Sequence, residues 1–93
     1  MTKKDIIFQP KAKASPYSLC ENIGHLIREL RVTNKMSGRD LGNIIGVSQQ
    51  QVSRYENGVS ELTMKQICRI SEVFDMTIWQ FMDVLYYICF DDG

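Results

Sequence analysis

Residues 46–58, GVSQQQVSRYENG, decide how the rest of the chain is read. Gly46 is a residue that tolerates left-handed backbone and can end a helix. Val47-Ser48 with Gln51 and Val52 then has the form of a new helix start. Ser48 is the cap, Gln51 the third-position partner, and Val47 with Val52 an apolar pair bracketing the cap. At about 100° per residue the helix that follows collects Gln49, Gln50, Ser53, Arg54 and Asn57 on one arc and Gln51, Val52 and Tyr55 on the other side. The polar arc carries amides, a hydroxyl and a guanidinium; the carboxylate of Glu56 lies at its edge.

The same start recurs in both directions. Upstream, Ser37 with Asp40 forms a capping box whose apolar pair is Met36 and Leu41, and Ser18 with Glu21 precedes Ile23, Leu26, Ile27 and Leu30 at helical spacing. Downstream, Leu62-Thr63 with Gln66-Ile67, and Met76-Thr77 with Gln80-Phe81, repeat the device. These signals predict helices over 19–33, 38–45, 49–57, 64–74 and 78–89 and leave little room for a strand, so the fold is expected to be all-α. Residues 1–17 are basic, contain Pro10 and Pro16 and show no sustained period. They are expected to form a partly ordered N-terminal arm, with one domain over 18–93.

The connection between the second and third helices is only Gly46-Val47-Ser48, the short glycine-containing turn that a helix-turn-helix requires. Short turns of this kind also join helices in bundles that bind nothing, so the exposed arc has to decide. Gln can pair bidentately with adenine and Arg with guanine in a major groove, where a carboxylate would be repelled by phosphate. Gln49, Gln50 and Arg54 are therefore candidate base readers, and the alternative is that a glutamine-rich arc of this kind is only a solvated face, which the tight turn and the caps make the weaker reading.

Composition sets outer bounds. Ninety-three residues support one small core rather than a two-lobed enzyme. Formal net charge is zero, yet residues 1–54 hold nine Lys or Arg against four Asp or Glu, and residues 55–93 hold two against seven. One half is thus suited to phosphate despite the neutral total. Three widely spaced cysteines and one histidine, His25, fit reduced thiols and no metal site. No apolar run follows Lys3 and Lys4, and the stretch from Trp79 to Phe90 is short and broken by Asp83, so neither signal peptide nor membrane span is expected. The expected location is the cytoplasm, at the nucleoid when DNA is bound.

The segment LRVTNKMSGRDLGNIIGVSQQQVSRYENG, residues 30–58, resembles the phage-repressor-type helix-turn-helix family, also called XRE or Cro/cI, and the likeness extends over roughly residues 22–82. The resemblance implies a five-helix lambda-repressor-like domain that binds double-stranded DNA, with the motif at helices two and three. It implies base reading by Gln49, Gln50 and Arg54, with Ser53 a further candidate, and phosphate contacts from Ser48 and Asn57. It also implies a structural ion pair between Arg31 and Glu56. Many members carry Gln directly after the second helix's cap, where this chain has Gly38; Arg39 or Lys35 is expected to supply the phosphate contact instead. The string SQQQVSRYE is also similar to regulators of the MrpJ type encoded with enterobacterial fimbrial operons, which implies control of fimbriae and motility.

The last helix is apolar nearly all round, from Ile78 to Phe90. Such a helix is either thoroughly buried in the core or shared with a partner. A two-fold homodimer, with Trp79, Met82, Leu85, Tyr86 and Cys89 at the interface, would set two recognition helices about 34–36 Å apart on one face of a duplex. Lys3, Lys4, Lys11 and Lys13 either reach phosphates or are solvated charges. The leading reading is a sequence-specific transcriptional regulator, repressing by default, with no cofactor and no small-molecule ligand. The alternative is an antitoxin-like protein-binding module of the same fold. An enzyme is not expected, because no nucleophile-base, paired-carboxylate or phosphate-loop arrangement occurs.

Overall fold

The computed structural model describes the backbone of residues 16–90 and the side chains of residues 19–89. Five α-helices run in order: α1 Pro16–Thr33, α2 Gly38–Ile45, α3 Gln49–Glu56, α4 Met64–Val73 and α5 Ile78–Phe90. No strand occurs among the described residues. The arm residues Lys3, Lys4, Lys11 and Lys13 lie outside them.

The cap signals translate into structure with one consistent side effect. Ser37 Oγ accepts from Asp40 N while the Asp40 carboxylate accepts from Ser37 N, both near 3 Å. Thr63 with Gln66 and Thr77 with Gln80 close in the same reciprocal way. At α3 only the first half forms, Ser48 Oγ accepting from Gln51 N at 3.0 Å. In each case the residue four positions past the cap is driven inward: Leu41, Val52, Ile67 and Phe81 are all core residues. Their bracketing partners Met36, Val47, Leu62 and Met76 pack against that core from outside. Four helix starts thus double as four core contacts.

α1 departs from expectation at its start, which is Pro16 rather than a cap at Ser18. Proline is well suited to the first turn, where its missing N–H leaves no hydrogen bond unmade. Leu26 and Ile27 of α1 complete the core with Ile70 of α4 and Leu85 of α5. The helix approaches α3 so closely at Gly24 that a Cβ there would stand 2.4 Å from the Glu56 carbonyl oxygen, which makes glycine obligatory at this crossing.

The last helix is buried on one side only. Phe81 and Leu85 face the core, and Ile78, Met82 and Cys89 lean on it, with Cys89 Sγ accepting from Asn22 Nδ2 of α1. Trp79, Val84, Tyr86, Tyr87 and Ile88 remain exposed. Leu85 therefore cannot serve the predicted dimer interface: at 5% exposure it is committed to the monomer core. Cys20, Cys68 and Cys89 are free thiols, and no helix among the described residues is long and apolar enough to cross a membrane.

Candidate nucleic-acid interface

The turn between α2 and α3 is built around Gly46. With φ at 80° it takes the left-handed conformation, and both its own N–H and that of Val47 donate to the Gly42 carbonyl at 2.8 Å. This closes α2 and redirects the chain within three residues. α2 and α3 then pack face to face through Leu41 and Val52, two of the most deeply buried side chains. Arg69 of α4 donates from Nη2 to the Ile44 carbonyl at 2.8 Å, which holds the last turn of α2 from below.

α3 is fixed from the inside by three groups. Val52 and Tyr55 are buried, and the Tyr55 hydroxyl accepts from Gln66 Nε2 of α4. Glu56, only 9% exposed, receives Arg31 of α1 in a two-pronged pair, Nε to Oε2 at 2.6 Å and Nη2 to Oε1 at 3.0 Å. A third nitrogen, Nη1, donates to the Met36 carbonyl, so one guanidinium ties α1, the α1–α2 turn and the end of α3 together. The carboxylate of Glu56 holds the Arg31 pKa above its ordinary value, against the opposing effect of burial. The pair expected from the sequence is thus present, and it removes the one acidic side chain of α3 from the outer surface.

What α3 leaves outside is the predicted arc. Gln49, Gln50, Ser53, Arg54 and Asn57 are all exposed, and Gln51 is half-buried. Asn57 Nδ2 donates to Ser53 Oγ at 3.3 Å, which orients these two toward the end of the helix. Arg54 is held as well: its Nε donates to Ser60 Oγ at 3.0 Å. Ser48 uses an oxygen lone pair for the cap, which leaves its O–H available to an external acceptor. The surface is one of hydrogen-bond donors and acceptors on a rigid, exposed helix, the equipment needed to read base edges in a major groove.

The predicted phosphate-contacting residues lie around this arc. Lys35, in the left-handed conformation at φ 55°, tops the α1–α2 turn, and Arg39 is exposed in the first turn of α2. Asp40, one residue further, is held below the usual carboxylate range by the backbone N–H and hydroxyl of Ser37. Gly38 opens a groove between α1, α2 and α3 that is lined by Arg28, Ser37, Gln49, Ser53 and Asn57. A Cβ at Gly38 would meet Gln49 Cγ at an ordinary 3.6 Å, so a side chain fits there.

Three residues of this region escaped the sequence reading. Arg28 shares the groove, and its spacing of three from Arg31 was the available signal. Arg69 and Ser60 act through contacts with residues distant in sequence or across a turn, and no local pattern marks them. Of the predicted dimer residues, Trp79 is 77% exposed and Tyr86 62% exposed, while Met82 and Cys89 are half-buried. His25 is exposed on α1.

Comparison with known proteins was made against this geometry. A helix-turn-helix family model matches residues 27–78, from the middle of α1 to the start of α5. An HTH-type transcriptional regulatory protein of Methanosphaerula palustris is 40% identical over 79 residues, 84% of this chain and 26% of that protein. Another from Methanospirillum hungatei is 42% identical over 77 residues, 82% of this chain and 25% of that protein. The chain therefore spans about a quarter of the length of the curated relatives it matches. Among solved structures, a point mutant of the restriction-modification controller protein C.Esp1396I superposes with a TM-score of 0.71 at 19% identity, covering 81% of this chain and 95% of that one. That likeness shows a shared fold, all-α and lambda-repressor-like. Hydroxypropylphosphonic acid epoxidase from S. wedmorenis superposes with a TM-score of 0.61 at 28% identity, over 67% of this chain and 33% of that one.

Proposed function

The chain belongs to the XRE-type helix-turn-helix family, and on that premise we propose that it is a DNA-binding transcriptional regulator that recognises specific operator sequences as a homodimer. The carrying observation is the outer arc of α3. Four of its five exposed side chains are amides or hydroxyls and the fifth is a guanidinium, while the only carboxylate of the helix is turned inward onto Arg31. Gln49, Gln50 and Arg54 face base edges, Ser53 assists, and Ser48, Asn57, Lys35 and Arg39 contact the flanking phosphates. The regulator works in the cytoplasm, where it occupies the nucleoid.

Dimerisation is supported by the stripe of Trp79 and Tyr86 on α5. The two lie seven residues apart on one side of the helix, with Met82 half-buried between them. A tryptophan as exposed as Trp79, at 77%, is characteristic of an interface. Control of fimbrial and flagellar genes is the target assignment that the SQQQVSRYE string favours, and repression by promoter occupancy is the default mode.

Selection from a randomised duplex pool, with sequencing of the bound fraction, tests the proposal for wild type, Gln50→Ala and Arg54→Ala. A palindromic motif whose preferences relax at separate positions in the two variants is expected. Failure of wild type to enrich any sequence would remove the direct-reader reading and favour a protein partner.

A further inference from the structure

The geometry points to Ser60 as a specificity-determining residue that acts by positioning Arg54; this rests on the reading of α3 as a DNA reader. Ser60 lies beyond the helix, in the loop that follows it, yet the chain is brought back onto Arg54 by a defined sequence of bonds. Asn57 N–H donates to the Ser53 carbonyl and Gly58 N–H to the Tyr55 carbonyl. Gly58 then takes φ at 72°, a conformation closed to most side chains, and a Cβ there would press on Glu21 at 3.0 Å. After this reversal Val59 N–H and Ser60 N–H both donate to the Arg54 carbonyl, at 2.9 and 3.3 Å. The Ser60 hydroxyl completes the ring by accepting from Arg54 Nε at 3.0 Å. Ser60 thus grips Arg54 at backbone and side chain together.

The consequence lies in the guanidinium's fork. An arginine can present Nε with one terminal nitrogen, or its two terminal nitrogens end on. Ser60 occupies Nε, and the terminal nitrogens make no hydrogen bond with any described residue. They are left pointing as an end-on pair, the arrangement that engages O6 and N7 of one guanine. A long, freely rotating side chain would otherwise lose rotamer entropy on binding and would sample neighbouring phosphates; the clamp makes that loss smaller and narrows the choice. Residue 60 therefore governs how sharply one base is chosen, although it need not touch the DNA.

The test compares wild type, Ser60→Ala, Ser60→Thr, Arg54→Ala and the Ser60→Ala/Arg54→Ala double variant, each titrated against the selected operator and against the same duplex substituted at the base read by Arg54. Circular dichroism and thermal melting should be unchanged, because Ser60 is only half-buried and its bond to Arg54 is exposed. Ser60→Ala is expected to lose about three- to tenfold of the discrimination at that one position, with other positions unaffected. Ser60→Thr, which keeps the hydroxyl, restores it, and in the Arg54→Ala background Ser60→Ala changes nothing further. Equal discrimination by Ser60→Ala and wild type would overturn the assignment while leaving the DNA-reading function intact. A uniform loss at all positions would also overturn it, by assigning Ser60 a phosphate contact. Absence of any preference in wild type would instead bring down the function on which the inference rests.

Discussion

α3 and α5 begin alike and end differently. Both start at a hydroxyl cap, and both bury the residue four positions on, Val52 in α3 and Phe81 in α5. Beyond that shared device, α3 turns a polar arc outward and uses an ion pair to hide its carboxylate, whereas α5 turns Trp79, Tyr86 and Tyr87 outward. The lesson is that a cap and its staple fix where a helix sits, while the side chains left over fix what it is for. The polar remainder suits a ligand with hydrogen-bonding edges, and the apolar remainder suits another protein surface.

Substitutions at the buried and exposed sides of the two helices can break this contrast. The largest effect is expected from Phe81→Ala, which empties the centre of the core and should cost about 3–5 kcal/mol in denaturant unfolding. Arg31→Ala comes next: it strands the Glu56 carboxylate at a site that is 9% exposed and should cost about 3 kcal/mol. DNA binding would fall with it, because the end of α3 loses its tether. Should Arg31→Ala leave stability unchanged, α3 would not depend on the pair as described.

Trp79→Ala sharpens the comparison from the other side. At 77% exposure its loss should alter monomer unfolding by no more than about 0.5 kcal/mol, yet weaken self-association in sedimentation velocity. A destabilisation as large as that of Phe81→Ala would mean that Trp79 is a core residue and that α5 has no outward face. Asp40→Asn should give the smallest effect. Hydrogen bonds from Ser37 hold the Asp40 pKa below its ordinary value in the folded state. The stabilisation is therefore complete above the unfolded-state pKa and is lost as pH falls through the folded-state one. In a pH series of melting temperatures the variant should show a shallower decline on the acid side, with no change in slope near neutrality.

Much of this was legible because it is local. Ser37, Ser48, Thr63 and Thr77 each announce a helix with partners no more than four residues away, and Gly46 announces the turn. The orientation of α3 followed from the same information, since its apolar residues occupy one side only. α5 was less legible for the converse reason. When Trp79, Met82, Leu85, Tyr86 and Cys89 are all apolar, periodicity does not say which of them meets the core, and only packing against α1 and α4 turned Leu85 inward and Trp79 outward. Ser60 and Arg69 were invisible because their significance depends on the path of a loop and on a carbonyl 25 residues away.

The most direct test of the account removes the three proposed base readers from the outer arc of α3. Fluorescence-polarisation titration of a selected duplex with the Gln49→Ala/Gln50→Ala/Arg54→Ala variant, alongside wild type at several salt concentrations, would measure what that arc contributes. The account predicts a folded protein whose preference for the selected duplex over random DNA largely disappears while weak, steeply salt-dependent binding persists through the remaining cations. A variant that keeps its wild-type affinity and preference would contradict it, because the sequence would then be read by some other part of the molecule.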